Sequence, residues 1–310
     1  MQQGAPMREI VIVGAGAMGC LFAARLLATG VSVTLIDNNA ERLRVIQEQG
    51  LELVDDSGSR VFKPRTALAA GFSGPVDLVI LFTKGVHSAA AVDSIAHLSR
   101  LWPVALTLQN GLGNAEILAG VFGADRVLMG TAHVPADLQP PTKVVSHGFA
   151  HVHLGGYVPA AQMLAQPVSE LLTRGAFEST VAASAEAAVW EKLVFNAALN
   201  SMAMIAQTTN GQMNNDPGRR IASAVVLESV AVARELGIEL DVKAINETIA
   251  RALSEHPRHK ASMLQDREHG RPGEIETLNG AIVRIGQQRG VPTPVNATLA
   301  DLVRLIETSK

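Results

Sequence analysis

Ile10-Val11-Ile12-Val13-Gly14-Ala15-Gly16-Ala17-Met18-Gly19 is the stretch that decides the fold. A continuous β-branched run is how a strand buried on both faces of a parallel sheet reads. Beyond the glycines, apolar residues recur at Leu21, Ala24, Leu27 and Ala28, which is helical spacing. Strand, glycine turn and helix thus occur in the order a dinucleotide-binding turn needs. Gly14 permits the tight turn, Gly16 lets the backbone come close to a pyrophosphate, and Gly19 lets the helix pack on the strand. The free N–H groups at the helix start, on Ala17 and Met18, then face the anion. Glycine turns also occur for purely steric reasons, so the context matters. Here a second strand, Val31–Ile36, ends in Asp37 about 20 residues on, where a carboxylate can accept from both ribose hydroxyls of NAD and repels a 2′-phosphate. Arg42 and Arg44 lie just beyond and could reach a phosphate, but their place on a short amphipathic segment suits a solvated helix face.

Composition bounds the answer from outside. A chain of 310 residues that is 47% hydrophobic can bury a large core and implies two domains. The net charge of -3 gives no electrostatic case for nucleic acid or an anionic membrane, which leaves small-molecule chemistry. The single Cys20 cannot form an internal disulfide and reads as a small buried helix residue. Arg25 and Asp37 interrupt the early apolar runs, so none reaches membrane-spanning length, and no signal peptide is visible. A cytoplasmic protein is expected, with Met1–Pro6 as a disordered leader.

Two further buried strands follow, Val76–Phe82 and Val104–Leu108. Each runs into a polar turn, Thr83-Lys84-Gly85 and Gln109-Asn110-Gly111-Leu112-Gly113-Asn114. Ligands of open parallel sheets sit at the carboxyl ends of strands, which puts Lys84 and Asn110 at the cofactor edge. The alternatives are a solvated strand-end lysine and an ordinary turn-forming asparagine. From Val127 to Val181 the strands become short, as in Lys143–His147, Ala150–Leu154 and Phe177–Val181, and are expected to extend the sheet in antiparallel or mixed fashion. His147, His151 and His153 have no acidic or cysteine partner nearby in sequence, so no metal site is expected. Beyond Ala182 the pattern is helical, including Arg219–Leu236, Val242–Leu253, Glu274–Arg289 and Val295–Ile306, with Gly237 and Gly290 as stops. The expectation is an α/β protein: a Rossmann-type doubly wound sheet over 1–183 that binds the dinucleotide, and an all-helical domain over 184–310 that carries substrate binding and catalysis.

In that second half, Lys192, Asn196 and Asn200 fall four residues apart, so three polar groups share one face of a helix flanked by Leu193, Val194, Phe195 and Leu199. A polar stripe in such company is either solvent-facing or lies in a cleft where a ligand satisfies it. The residues alone leave both open.

Six motifs together give the chain a resemblance to the ketopantoate reductase family. They are the N-terminal glycine turn, the Thr83-Lys84 strand end, Gln109-Asn110-Gly111-Leu112-Gly113, Trp190-x-Lys192-x3-Asn196-x3-Asn200, Ser262-Met263-Leu264-Gln265-Asp266 and Glu274-Ile275-Glu276-Thr277-Leu278-Asn279-Gly280. The resemblance runs from the first strand to the last helices. It implies an oxidoreductase that reduces the 2-oxo acid 2-dehydropantoate with NADPH in pantothenate biosynthesis. It also implies that Lys192 is the catalytic lysine, that Glu274 holds the substrate hydroxyl, and that Asn196, Asn200 and Ser262 bind substrate. Lys84 and Asn110 match positions near the nicotinamide and its phosphates. One position departs: where the family commonly has a basic residue after the second strand, this chain has Asp37-Asn38-Asn39. Both NADPH and NADH therefore stay open.

Reduction of a ketone creates an alkoxide, and the Lys192 ammonium can polarise the carbonyl and supply the proton without a metal. Ser262 could instead be the N-cap of a helix starting at Met263. Two rivals stand beside ketopantoate reduction: a related dehydrogenase of another branched 2-oxo or hydroxy acid, and a non-catalytic dinucleotide sensor. A sensor has no use for a proton donor. The long helices are compatible with a homodimer.

Overall fold

Strand β1 (Glu9–Val13) lies in the middle of the larger sheet, as its unbroken apolar run requires. The computed structural model of the protein describes residues 7–308, so the leader expected over Met1–Pro6 lies outside the described residues. The described chain divides into two compact units: the chain up to Gln109 with Asn114–Ala185, and Asn110–Gly113 with the chain from Glu186 onward.

In the first unit, β1 is followed by α1 (Ala17–Leu27), β2 (Ser32–Ile36), α2 (Ala40–Gln49), β3 (Leu51–Asp55), β4 (Gly58–Phe62), β5 (Arg65–Ala67) and β6 (Leu78–Leu81). Then come α3 (Ser88–Ser94), β7 (Val104–Thr107), α4 (Asn114–Phe122), β8 (Val127–His133), β9 (Asp137–Gln139), β10 (Lys143–Val145), β11 (His151–Gly156), α5 (Ala165–Arg174) and β12 (Glu178–Val181). Eight strands form one sheet in the order β12-β11-β8-β7-β6-β1-β2-β5, parallel at every pairing except β8 with β11. From β1 the chain moves one way to β2, and from β6 it moves the other way through β7 to β8. Right-handed crossovers then put α1 on one face and α3 and α4 on the other. The reversal lies between β1 and β6, where ligands of doubly wound sheets sit.

The short strands after Val127 do not all extend this sheet. β8, β11 and β12 do, but β10 leaves it and pairs with β3 and β9 in a separate four-stranded sheet, β4-β3-β10-β9. Its neighbours are the β3–β4 hairpin, which the sequence reading passes over. Asp56-Ser57-Gly58 is the turn signal that marks it, with the Ser57 N–H donating to the Asp55 carboxylate.

The second unit is helical: α6 (Ala185–Ala206), α7 (Asn210–Met213), α8 (Asp216–Glu235), α9 (Val242–Glu255), α10 (Ser262–Glu268), α11 (Asn279–Arg289) and α12 (Pro294–Thr308). Its core gathers Trp190, Leu193 and Val194 of α6 with Val225 and Val226 of α8, Ile249 and Leu253 of α9, Ile282 of α11 and Val303 of α12. The helix expected to begin at Glu274 begins at Asn279 instead. Glu274–Leu278 is a hydrogen-bonded turn, with the Thr277 and Leu278 N–H groups both donating to the Glu274 carbonyl. Gly290, in the left-handed conformation, ends α11. No helix among the described residues is long and apolar enough to cross a membrane.

The glycines of the first turn separate by what surrounds them. A Cβ on Gly19 would lie 1.8 Å from the Gly14 carbonyl oxygen, so α1 can pack on β1 only without a side chain there. A Cβ on Gly16 would meet nothing within 4 Å. Gly19→Ala is therefore expected to lower unfolding stability by about 3 kcal/mol or more, through overpacking against backbone. Gly16→Ala should stay within about 1 kcal/mol of wild type. Chemical denaturation of the two variants checks this, and equal losses would contradict it.

Candidate active site

At the first turn, Gly14 has φ +106°, and a Cβ on it would come within 2.8 Å of the Phe82 backbone at the end of β6. The turn and the Thr83-Lys84 segment are thereby in direct backbone contact at the sheet reversal. Gly16 is the N-cap of α1 with no side chain bonded there, and the space its Cβ would occupy is open. The first-turn N–H groups of Ala17, Met18 and Gly19 belong to a helix start, which favours an anion.

Asp37 stands beside this turn. One carboxylate oxygen accepts from the Ala15 N–H at 2.7 Å and the other from the Asn39 N–H at 2.9 Å. Each carboxylate oxygen keeps a second lone pair for a ligand hydroxyl. The two arginines after β2 part company. Arg44 is exposed and paired with Glu41 and Glu48, as a solvated helix face predicts. Arg42 is not on that face: half-buried, it donates from Nη1 to the Ala15 carbonyl at 3.0 Å. Ala15 is thus held at its N–H by a carboxylate and at its C=O by a guanidinium, which fixes the two successive peptide groups it joins. Cys20 Sγ donates to the same carbonyl at 3.3 Å, and burial pushes its thiol up to about 12, so it is a packed and unreactive group.

The ends of β6 and β7 are knitted together by Gln109, which sequence reasoning treats only as part of a turn. Its Nε2 donates to the Thr83 carbonyl and to Ser88 Oγ, while its Oε1 accepts from Thr107 Oγ1. Ser88 Oγ continues to Asn114 Oδ1 at 2.8 Å. Lys84, half-buried, leads out of β6 into a single 3-10 turn, its carbonyl accepting from the His87 N–H. Asn110 takes a different course from Lys84. It belongs to the helical unit, where its Nδ2 donates to Glu274 Oε2 at 3.4 Å. The loop is held there by the Leu112 N–H donating to the Thr277 carbonyl. Gly111, at φ +85°, leaves no room for a Cβ against Thr277.

Lys192, Asn196 and Asn200 all project from α6. Asn196 is 8% exposed and Asn200 5%, which disposes of a solvent-facing stripe. Asn200 Nδ2 donates to Ser262 Oγ at 3.2 Å. Ser262 is not an N-cap: the cap position is Ala261, and the exposed Ser262 hydroxyl takes Asn200 instead. Asn196 lies one turn before Asn200 on the same helix and is buried with it.

Lys192 is half-buried as a residue, yet its ammonium is desolvated, which lowers its pKa from 10.5 to about 8. The Glu274 carboxylate opposes this and raises it. Burial disfavours the charged form and a nearby opposite charge favours it, so the pair sets an acid near neutral pH. One helix therefore presents a tuned ammonium and two buried amides, with a carboxylate from an irregular turn completing the set.

The histidines form pairs rather than a cluster. His147 bonds Asp56 and His151 bonds Glu178, both acids distant in sequence, and His153 bonds Thr180 Oγ1. Among the described residues no group of three or more His, Cys, Asp or Glu could hold a metal ion.

Comparison with known proteins bears on this arrangement. Residues 10–158 match the family model "Ketopantoate reductase PanE/ApbA", and residues 184–307 match its C-terminal companion model. A 2-dehydropantoate 2-reductase of Halobacterium salinarum is 33% identical over 96% of this chain and 99% of its own length. Among solved structures, D-mandelate dehydrogenase with NADH and anilino(oxo)acetate superposes with a TM-score of 0.92 at 28% identity, covering 97% of this chain and 99% of that one. A PanE/ApbA family ketopantoate reductase from Ralstonia eutropha gives 0.88, also at 28% identity, over 97% of this chain and 99% of that one. The chain belongs to the ketopantoate reductase family of oxidoreductases, with a Rossmann-like dinucleotide-binding fold and a helical C-terminal domain.

Proposed function

We propose that the protein reduces 2-dehydropantoate to (R)-pantoate with a nicotinamide cofactor. The observation that carries this reading is the desolvated Lys192 ammonium, under the charge of Glu274 and followed along α6 by the buried residues Asn196 and Asn200. The glycine turn fits a dinucleotide: the open space at Gly16 and the helix start at Ala17 and Met18 suit a pyrophosphate, and Gly14 and Gly19 shape the turn. Asp37 would hold the adenosine ribose, with Lys84 and Asn110 toward the nicotinamide. A bound reduced nicotinamide supplies hydride to the carbonyl carbon. Lys192 polarises the carbonyl oxygen and delivers a proton to it from Nζ. Asn196, Asn200 and Ser262 orient the carboxylate end of the substrate, and Glu274 accepts from its 4-hydroxyl while favouring the charged lysine.

The likeness to D-mandelate dehydrogenase favours a second reading, in which the same machinery acts on another 2-oxo acid. Initial rates with 2-dehydropantoate and with 2-oxo acids lacking the 4-hydroxyl separate the two. Highest kcat/KM on 2-dehydropantoate supports the first reading, and preference for an aryl 2-oxo acid supports the second.

Lys192 sets two expectations with opposite signs. Reduction needs the ammonium, so kcat should fall as pH rises through about 8. Lys192→Met should lower kcat by about 10² to 10⁴, the contribution of a positioned acid. The same variant should be more stable than wild type. The folded pKa lies below the unfolded one, so the desolvated ammonium opposes folding at pH below about 8, and that cost vanishes above 10.5. Thermal melts at pH 7 and pH 10.5 read it. A variant less stable at pH 7 would contradict the desolvation argument.

For the cofactor, Asp37 opposes a 2′-phosphate and Arg44 is engaged by two glutamates, which leaves Arg42 as the cation beside the turn. NADH should give kcat/KM at least equal to NADPH. Asp37→Ser should shift the ratio toward NADPH by about 1 to 3 kcal/mol. Strong wild-type preference for NADPH, unaltered in Asp37→Ser, would remove Asp37 from cofactor choice.

A further inference from the structure

The residues on either side of Glu274 are fastened to the last helix in three places. The Gly273 N–H donates to Glu307 Oε1 at 2.6 Å. Glu276 takes both arms of Arg304, at 2.7 and 2.8 Å, and Arg304 is itself held by Asp301. Asn279 Nδ2 donates to Asn296 Oδ1 at 3.0 Å, both residues being fully buried. On an α-helix Asn296, Arg304 and Glu307 fall within about 80° of one another and span about 16 Å. Their partners 279, 276 and 273 run in the opposite direction, so one face of α12 follows the turn from end to end.

The two ends of this contact are anchored further. Glu228 of α8 accepts from the Val295 and Asn296 N–H groups and from Asn296 Nδ2, which caps the start of α12 and orients the Asn296 amide. Asn279 Nδ2 also donates to the Ala197 carbonyl at 3.1 Å, the residue after Asn196 on α6. A continuous hydrogen-bonded chain thus runs from Glu228 of α8 through Asn296 of α12 and Asn279, the residue that follows the Glu274 turn, to the helix that carries Lys192.

We propose that α12 is a splint for the Glu274 turn, and that Asn296, Arg304 and Glu307 are positioning residues that fix the Glu274 carboxylate relative to Lys192. A turn of this kind has no ladder or helix of its own to hold it, so its register comes from these side chains. The proposal rests on the reading of Lys192 and Glu274 as proton donor and carboxylate partner. In the folded enzyme, Glu274 is the charge that acts on Lys192, and it raises the lysine pKa. A carboxylate that drifts away leaves that pKa lower.

The test compares Glu307→Ala, Glu307→Gln, Arg304→Ala and Glu274→Gln in full-length enzyme, reading kcat against pH, relative kcat/KM for 2-oxo acids with and without a 4-hydroxyl, and melting temperature. Glu274→Gln should move the alkaline limb of kcat to lower pH and reduce selectivity for the hydroxylated substrate. Glu307→Ala and Arg304→Ala should do the same in part, with kcat lower by about tenfold. Glu307→Gln keeps an acceptor for the Gly273 N–H and should restore the wild-type profile. If Glu307→Ala and Arg304→Ala only melt earlier while Glu274→Gln moves limb and selectivity, the splint is overturned and the site stands. If Glu274→Gln moves neither, the reading of the site falls and the splint falls with it.

Discussion

A desolvated ammonium balanced against a carboxylate is the constraint around which the helical unit is arranged. Taken from water, a lysine gives up its proton more readily, and only a nearby negative charge keeps enough of the charged form at neutral pH. In this protein the lysine sits on α6, a long helix packed into the core by Trp190, Leu193 and Val194, and its position is therefore rigid. The carboxylate sits on a turn with little regular structure. Much of the surrounding polar architecture acts on that turn: Asn110 and Leu112 from one loop, α12 from another side, and Asn279 back to α6 itself.

The first unit solves a different problem, the approach of a large anion to backbone. Its solution is steric. Gly14 and Gly19 are small because β6 and the Gly14 carbonyl lie where side chains would be, whereas Gly16 is small with nothing of the protein against it. The clamp on Ala15, Asp37 at its N–H and Arg42 at its C=O, fixes the turn from within the protein. The same Asp37 that holds the turn is the carboxylate proposed above to face the adenosine ribose.

What the sequence made legible follows from how local each signal is. The β1–α1 turn, the strand ends at Thr83 and Gln109, and the Lys192–Asn200 face were readable because strand runs, glycine spacing and a four-residue period are encoded in adjacent residues. Four features were not. β10 left the main sheet because its partner β3 lies some ninety positions away, and pairing over that distance has no local mark. The apolar spacing of α11 continues backwards to Glu274 and so predicts a longer helix, while tertiary bonds at Gly273, Glu276 and Thr277 hold those residues as a turn. Arg42, like Arg44, has the sequence setting of a solvated helix face, and only the fold brings the Ala15 carbonyl within its reach. Ser262 had the composition of an N-cap and was claimed by Asn200 from another helix.

On α6 the Lys192 ammonium has its pKa lowered by desolvation and raised in part by Glu274. Direct titration of the Lys192 side-chain nitrogen by ¹⁵N NMR, with the resonance assigned by its loss in Lys192→Met, measures this without substrate or cofactor. The account predicts a midpoint near 8, well below the ordinary 10.5. A midpoint at or above 10.5 would contradict it, because the ammonium would then be a solvated or fully paired cation rather than a tuned acid.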